Sequence, residues 1–309
     1  MSDFTSAKTS HRHGVISVLV ALPFVSLTGL FGKFLTFSPL LIVQGRTVFA
    51  FGALLLALFF LRKKIFFSDL REWLWLALSG SILGVHWIAF FQAIQVSNVA
   101  IGLLSFASYP LFTTLLEPLF FREPLRVRNI FAALIVICGL ALMASSSSDD
   151  SNTIMSGSVF HGILWGLMAG FGFAVLTLLN RGHVRKHSAL LITCWQNGFA
   201  ALVILPWSLS ESWILSGREL GLLFLLGVVC TVGGHTLLIN GLRHVRAQVA
   251  SLLIAGLEPV FAILFALFLL GEVPSLQSLL GGALIISTTV FIIYSSTEQK
   301  EILEQAVFK

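Results

Sequence analysis

The sequence contains little charge. Only 11% of its 309 residues are Asp, Glu, Lys or Arg, against about 25% in an ordinary soluble domain. Apolar residues make up 57% of the chain, and the mean hydropathy is +0.95. A water-soluble protein of 33.7 kDa could not bury that much apolar surface, so the composition predicts that lipid is its solvent. It excludes a disordered chain, a cytosolic enzyme and a nucleic-acid binder.

Cysteine is also scarce, and its spacing excludes two kinds of site. Cys138, Cys194 and Cys230 each lie within an apolar run, with neither a CxxC pair nor the even count that is typical of a disulfide framework. The sequence also lacks an HExxH zinc motif, a GxSxG nucleophile motif and a phosphate-binding P-loop. We therefore expect no metal, no cofactor, no catalytic residue and no direct use of ATP.

Long apolar runs fill most of the sequence. A hydrocarbon core about 30 Å thick requires about 20 apolar residues per transmembrane helix. Ten stretches of this kind lie at residues 15–35, 39–61, 72–93, 98–121, 127–145, 158–180, 188–208, 217–241, 247–270 and 275–294. They are apolar on all faces, whereas barrel strands alternate in segments of about 10 residues. The sequence therefore predicts an all-α integral membrane protein with ten transmembrane helices.

The basic residues are distributed unequally between the loops. With a cytoplasmic N-terminus, 16 of the 19 Lys and Arg residues fall in cytoplasmic segments and only Arg218 falls in an external loop. The other two, Lys33 and Arg46, lie within spans. Because positively charged loops resist translocation, this distribution predicts a multi-pass protein of the bacterial inner membrane with both termini in the cytoplasm.

The two halves of the chain resemble one another. A shift of 149 residues aligns Pro110 with Pro259 and His86 with His235. Five spans separate the copies, and since five is odd, the second copy enters the membrane from the opposite side. Such a 5+5 inverted-topology repeat is typical of transporters, because its halves can exchange conformations. The predicted N-terminus, first repeat, external linker, second repeat and cytoplasmic tail are residues 1–14, 15–145, 146–157, 158–294 and 295–309.

Several short motifs resemble a known family, the EamA branch of the drug/metabolite transporter superfamily. The motifs are Pro39, Arg46, Ala93-Ile94, Pro110-Leu111, Arg122-Glu123, Gly241-Leu242, Pro259-Val260 and Gly271-Glu272. The resemblance covers residues 15–294 and implies a ten-helix secondary transporter, usually an exporter of amino acids or related metabolites. Ala189 and Gln196 depart from the pattern, because they stand where a second-half proline and arginine would repeat.

A glutamate in the middle of the ninth span is the first candidate for a binding residue. A charge at the bilayer centre costs at least about 2.5–3.5 kcal/mol. Glu258 precedes Pro259, as its repeat mate Tyr109 precedes Pro110. Each proline frees a backbone carbonyl that only protein or cavity water can satisfy at this depth, so we expect two helix breaks around a central polar cavity. Alternatively, Glu258 is a buried acid that only packs the halves together.

The other polar residues within the spans complete a hypothetical substrate site. Lys33 and Arg46 are placed to receive a carboxylate, with Glu258 receiving an ammonium group; alternatively, Lys33 snorkels outward and Arg46 binds backbone. The two repeat-related histidines are candidates for a proton relay or gate, and two tryptophans for apolar walls. The predicted substrate-binding residues are Glu258, Tyr109, His86, His235, Arg46, Lys33, Ser105, Trp87, Trp195 and Gln196.

We therefore expect a secondary exporter of small metabolites, foremost amino acids, that works by alternating access. Its expected partners are a small-molecule substrate, the lipid bilayer and protons as a candidate coupling ion, with no nucleic acid. A monomer is compatible with the sequence. One alternative is a carrier of lipophilic cations or of nucleotide sugars, although the latter should require more than two buried basic residues. Another is an intramembrane enzyme or an assembly factor, but the sequence places no nucleophile and base on neighbouring faces.

Overall fold

A computed structural model describes residues 2–121, 157–213, 216–245, 247–288 and 290–291, with isolated positions between 131 and 142. Every regular element in these ranges is helical, as predicted. The elements are α1 Ser2–Phe34, α2 Pro39–Phe60, α3 Leu70–Val96, α4 Val99–Phe106, α5 Tyr109–Phe121, α6 Ser158–His183, α7 Ala189–Ser208, α8 Gly217–Phe224, the π-helical segment π1 Leu225–His235, α9 Thr236–Leu242, α10 Ala247–Leu270 and α11 Leu276–Thr288.

Within the described ranges, eight helical stretches are long and apolar enough to cross a membrane. The segments α4 and α5 together form one of these spans, and α8, π1 and α9 form another. The predicted span at 127–145 lies almost entirely outside the described residues, and α11 is a shorter apolar helix within the last predicted span. The chain is thus an all-helical, multi-pass membrane protein, while the total of ten spans stays a prediction.

Short polar side chains determine where several spans begin. The first N–H groups of a helix have no partner within it, and a capping side chain can accept their hydrogen bonds. Ser38 caps α2 in this way, Asn98 caps α4 and Ser188 caps α7. In α4 the amide oxygen of Asn98 accepts from the backbone N–H of Ile101 at 2.8 Å. These caps fix the point at which each helix starts and therefore the depth of every residue that follows.

Only one of the two predicted proline breaks occurs. In the fourth span, α4 ends at Phe106 and α5 begins at Tyr109, next to Pro110. The predicted break at Pro259 is absent, because α10 continues through this residue without interruption. A transmembrane helix tolerates proline when neighbouring groups satisfy the backbone that the proline exposes.

A tyrosine from the other half of the chain, Tyr109, contacts the backbone of α10 before Pro259. The hydroxyl of Tyr109 donates a hydrogen bond to the carbonyl oxygen of Ser251 at 2.7 Å and also interacts with the backbone of Ala255, four residues before Pro259. Tyr109 is completely buried. The hydrogen bond to Ser251 joins the fourth span to α10 at this depth.

Two glycines allow pairs of helices to approach closely. A Cβ on Gly227 of π1 would lie 2.8 Å from the carbonyl oxygen of Arg46 and 2.6 Å from the Cβ of Phe49. A Cβ on Gly80 of α3 would lie 2.7 Å from the carbonyl oxygen of Gln196. Only a hydrogen atom fits at either position. The contacts press α2 against π1 and α7 against α3, and they hold the backbone of Arg46 next to π1.

Candidate functional site

A small cavity of about 20 Å³ lies where both halves of the described structure meet. We call it the central cavity, and its lining residues are Val25, Thr28, Arg46, His86, Trp87, Phe90, Phe106, Phe173, His235 and Glu258. They come from α1, α2, α3, α4, α6, π1 and α10. Each of its four ionisable side chains is less than a tenth exposed. The central cavity is therefore occluded, with charged groups enclosed by apolar helices.

Arg46 contributes a fully buried guanidinium group to the central cavity. Its Nε and Nη2 donate hydrogen bonds to Oγ1 of Thr231 at 3.1 and 2.8 Å. The guanidinium carbon lies 3.6 Å from the ring centroid of Trp87, in cation–π contact, and 5.6 Å from that of Phe91. Nη1 has no hydrogen-bond partner. Among the described residues no carboxylate lies within 4.0 Å of the guanidinium. The Nη1 donor and the positive charge of Arg46 are therefore available to a ligand.

Glu258 supplies the acidic group of the same cavity. Its side chain on α10 is 2% exposed. In the described part of the chain it makes no hydrogen bond or ion pair, and its carboxyl group interacts electrostatically with Tyr109. The central cavity thus contains one guanidinium and one carboxyl group that are not paired with each other.

The two predicted histidines both lie in the central cavity. Nδ1 of His86 is 2.8 Å from the carbonyl oxygen of Ala169, so this nitrogen is the one that donates. The His86 ring packs against Phe173 at 5.3 Å, while His235 contacts the edge of Trp87 at 4.8 Å. Trp87 is therefore in contact with both His235 and Arg46. Both histidines thus line one cavity, and a proton relay between them stays a prediction.

Two further predicted residues lie outside the lining. Tyr109 packs behind the cavity wall, with its ring 5.1 Å from Phe106 and 4.8 Å from Phe173. Ser105 points toward α6, where a Cβ on Gly166 would lie 2.5 Å from the Cβ of Ser105. The hydroxyl of Ser105 has no hydrogen-bond partner. Tyr109 therefore supports the wall, whereas Ser105 belongs to the contact between α4 and α6.

Lys33 lies at one end of the helix bundle, away from the central cavity. Its Nζ donates to the carbonyl oxygen of Ser97 at 3.0 Å and lies 4.0 Å from Oε1 of Glu272. Oε2 of Glu272 accepts from the backbone N–H of Val99 at 2.9 Å. This cluster, the Lys33 end, joins α1 to the loop after α3 and to the segment after α10. Lys33 thus has a carboxylate of its own and is not turned toward the central cavity.

Trp195 and Gln196 lie toward the other end. Nε1 of Trp195 donates to the carbonyl oxygen of Ile65 at 2.7 Å, and the side chain does not line the central cavity. Nε2 of Gln196 donates to Oγ of Ser79 at 3.0 Å and to Oδ1 of Asn180 at 2.6 Å. Gln196 therefore connects α7 with α3 and α6 instead of reaching a substrate site.

A second polar cluster closes the bundle opposite the Lys33 end. Oε2 of Glu72 lies 3.4 Å from Nε2 of His187 and 3.7 Å from Nε2 of His183, and Oε1 lies 3.6 Å from Nζ of Lys186. Arg243 donates to the carbonyl oxygen of His187 at 2.7 Å. We call this cluster the Glu72 end. Since α3 begins near Glu72 and ends at Val96, next to Ser97, the two clusters lie at opposite ends of one helix, with His86 and Trp87 between them.

Sequence reasoning missed Thr231, which binds Arg46, and five residues of the lining, namely Val25, Thr28, Phe90, Phe106 and Phe173. Phe90 follows His86 by four residues, which places both on one face of a helix. This spacing could have identified Phe90 as a cavity residue. Phe106 immediately precedes the break before Pro110, and this position could have identified Phe106 as well. No signal identified Thr231, because a threonine in an apolar run commonly bonds to its own helix.

Comparisons with known proteins are consistent with this architecture. The profile of the EamA-like transporter family matches residues 12–145 and again residues 160–294. The uncharacterized transporter YwfM of Bacillus subtilis is 27% identical over 268 residues, which cover 85% of this chain and 87% of that protein. The S-adenosylmethionine uptake transporter of Rickettsia conorii is 28% identical over 222 residues, 71% of each chain.

A solved crystal structure has the same fold. It is 17% identical to this chain, with a TM-score of 0.62, and the superposition covers 91% of this chain and 94% of the other. The family and the named relatives are transporters, which confirms the prediction of a transporter and not an enzyme. Because the family profile spans nearly the whole sequence, the chain belongs to the EamA-like transporter family of the drug/metabolite transporter superfamily.

Proposed function

We propose that this protein is a secondary transporter that exports small zwitterionic metabolites, foremost amino acids and their derivatives. One observation carries the proposal: the central cavity contains Arg46 and Glu258, which are buried and not paired with each other. Unpaired charges at membrane depth are costly. A ligand with one carboxylate and one ammonium group compensates both charges at once, the carboxylate at Nη1 of Arg46 and the ammonium at Glu258.

The same charges disfavour the alternative substrates. A lipophilic cation would neutralise Glu258 but leave the guanidinium of Arg46 uncompensated. A nucleotide sugar carries two phosphate charges, and Arg46 is the only permanent cation among the lining residues of the central cavity. The aromatic wall formed by Phe90, Phe106 and Phe173 suits an apolar side chain between the two charged groups.

The relatives named as S-adenosylmethionine uptake transporters fit this chemistry. S-Adenosylmethionine carries an α-ammonium and an α-carboxylate group, so it presents the same zwitterionic head as an amino acid. It is therefore a candidate substrate of the same site. Uptake and export use one alternating site, and the prevailing gradients determine the direction.

Alternating access between two inverted repeats is the proposed mechanism. The double match of the family profile supports it. Two equivalent contacts also support it, because Gly227 packs against Arg46 and Gly80 packs against Gln196. A shift of 150 residues aligns Arg46 with Gln196. Repeats of this kind place the substrate site near the membrane midplane, between halves that exchange conformations. The Lys33 end and the Glu72 end are then the two gates, each closing one side of the central cavity.

We further propose that both termini lie in the cytoplasm of a bacterium and that the Lys33 end faces outward. The excess of Lys and Arg at the Glu72 end supports this orientation. A membrane-impermeant thiol reagent added to intact cells should therefore label a cysteine at Ser210 but not one at Arg185, both of which are exposed. The measurement is the mass shift of each variant, in a background from which the three native cysteines have been removed. The opposite pattern would reverse the assignment.

The substrate class is tested by removing the charge of Arg46. Purified protein in proteoliposomes is screened for exchange of the twenty common amino acids and S-adenosylmethionine, and the best substrate is compared with its amide and its decarboxylated amine. We expect the wild type to prefer the free carboxylate, and Arg46→Gln to lose that preference by about tenfold or more, because a hydrogen bond to a charged group contributes about 1.5–3 kcal/mol. Lys33→Gln is the matched control, since it removes a cation at the Lys33 end, and it should keep the preference. A preference that survives in Arg46→Gln would refute the assignment.

A further inference from the structure

The Arg46 side chain is held in place by a residue that does not itself line the central cavity. Thr231 is completely buried in π1, and its Oγ1 accepts two hydrogen bonds from the guanidinium group. The hydroxyl proton is already committed, because Oγ1 donates to the carbonyl oxygen of Leu226 at 2.8 Å. Its lone pairs are therefore available to Arg46, and the hydroxyl can act toward it only as an acceptor.

This geometry depends on the wide turn of π1. The carbonyl oxygen that Thr231 uses belongs to the residue five positions earlier, whereas threonine in an α-helix bonds to the carbonyl three or four positions earlier. Gly227, one turn before Thr231, admits the Arg46 backbone to the same segment. One π-helical turn thus receives the backbone of Arg46 at a glycine and its side chain at a threonine.

The corresponding region of the first half is a regular α-helix. His86 follows Gly80 by six residues, but His235 follows Gly227 by eight, so the second half has two more residues between its close-contact glycine and its cavity histidine. These extra residues lie within π1, where the turn is wider. In the first half, Gln196 bonds to Ser79, directly next to Gly80, and remains outside the central cavity.

We propose that Thr231 is a positioning residue that sets the preference of the transporter for carboxylate-bearing substrates. The inference rests on the proposed function of Arg46. Thr231 fixes Nε and Nη2 by hydrogen bonds. The ring of Trp87, over which the guanidinium lies, fixes the plane of that group. Nη1 is the nitrogen that remains without a partner, and the substrate carboxylate binds there. Without Thr231 the guanidinium rotates, and its donors are no longer aligned before the substrate arrives.

Two substitutions at Thr231 separate positioning from packing. Thr231→Val keeps the branched shape and removes the acceptor, whereas Thr231→Ser keeps the hydroxyl. The probe is leucine exchange in proteoliposomes, with leucinamide as the analogue that lacks a carboxylate. We expect Thr231→Val to raise the KM for leucine by about tenfold with little change in kcat, and to leave the KM for leucinamide within about twofold. Thr231→Ser should restore the wild-type KM for leucine.

The outcomes distinguish this inference from the proposed function. If Arg46→Gln loses the preference for leucine over leucinamide while Thr231→Val keeps it, the role of Thr231 is wrong and that of Arg46 stands. If Thr231→Val affects both compounds equally, or Thr231→Ser behaves like Thr231→Val, the residue is only structural and the inference fails. If the wild type exchanges leucine but does not prefer it over leucinamide, the role of Thr231 and the proposed function fail together.

Discussion

Transport by the Glu258→Gln variant should fall at least about thirtyfold below the wild type, although the protein still folds. Glutamine has nearly the shape of glutamate but cannot neutralise the ammonium group of a bound amino acid. Removing one partner of a buried charge pair costs about 2 kcal/mol or more, which corresponds to about thirtyfold in binding. The measurement is the rate of amino acid exchange in proteoliposomes at substrate concentrations below the wild-type KM.

The expected loss is specific to the central cavity because Glu258 contributes little to the surrounding structure. Among the described residues its carboxyl group makes no hydrogen bond or ion pair, so glutamine leaves no former partner unsatisfied. The melting temperature and elution volume of Glu258→Gln should therefore match those of the wild type.

A second glutamate provides the matched control for this experiment. Glu272 lies at the Lys33 end, where it contacts Lys33 and the backbone N–H of Val99. Glu272→Gln removes the same charge without altering the central cavity, so the variant should keep most of the wild-type rate of amino acid exchange. Wild-type exchange by Glu258→Gln would remove that residue from the mechanism and would leave Glu258 as a buried acid that packs the halves together.

Much of the site was predictable because a charged residue within a transmembrane span is rare and energetically costly. Arg46 and Glu258 stand within long apolar runs, and the cost of burying them alone predicts a function. The same argument selected Lys33 equally, although this residue pairs with Glu272, far away in the sequence. The cost of a buried charge shows that a partner is needed, but it does not show whether that partner is a substrate or a distant side chain.

The errors in predicting which side chains of a helix face the central cavity have a different physical cause. Ser105 and Tyr109 were both predicted to bind substrate, which one continuous α-helix would favour by placing them on one face, but α4 ends at Phe106 and α5 begins only at Tyr109. Thr231 escaped notice for a related reason, since its role depends on a π-helical turn. Periodicity in an apolar run assumes a fixed helical turn, so it predicts that a span exists better than it predicts which side chains face the central cavity.

The proposed alternating access predicts a second large effect, in the chemical accessibility of α1. Thr28 is 6% exposed and lines the central cavity, so a cysteine at this position is hidden while the cavity is occluded. In the proposed mechanism, the opening of either gate should let water and a small thiol reagent reach it. We expect Thr28→Cys, in a background that lacks the native cysteines, to be modified at least about tenfold more slowly when a saturating substrate blocks the cavity. The measurement is the modification rate by intact-protein mass spectrometry, with and without substrate.

Ser26 provides the control for Thr28→Cys, because it is a buried position on the same helix that does not line the central cavity. It lies two residues before Thr28 on α1, is completely buried, and does not line the central cavity. Ser26→Cys should therefore react slowly in every condition, because no gate leads to it. If Thr28→Cys reacts as slowly as Ser26→Cys with and without substrate, the contact between the halves is a closed and dry seam. In that case Arg46 and Glu258 never meet a ligand from solution, and their burial would have to be explained by the packing of the two halves alone.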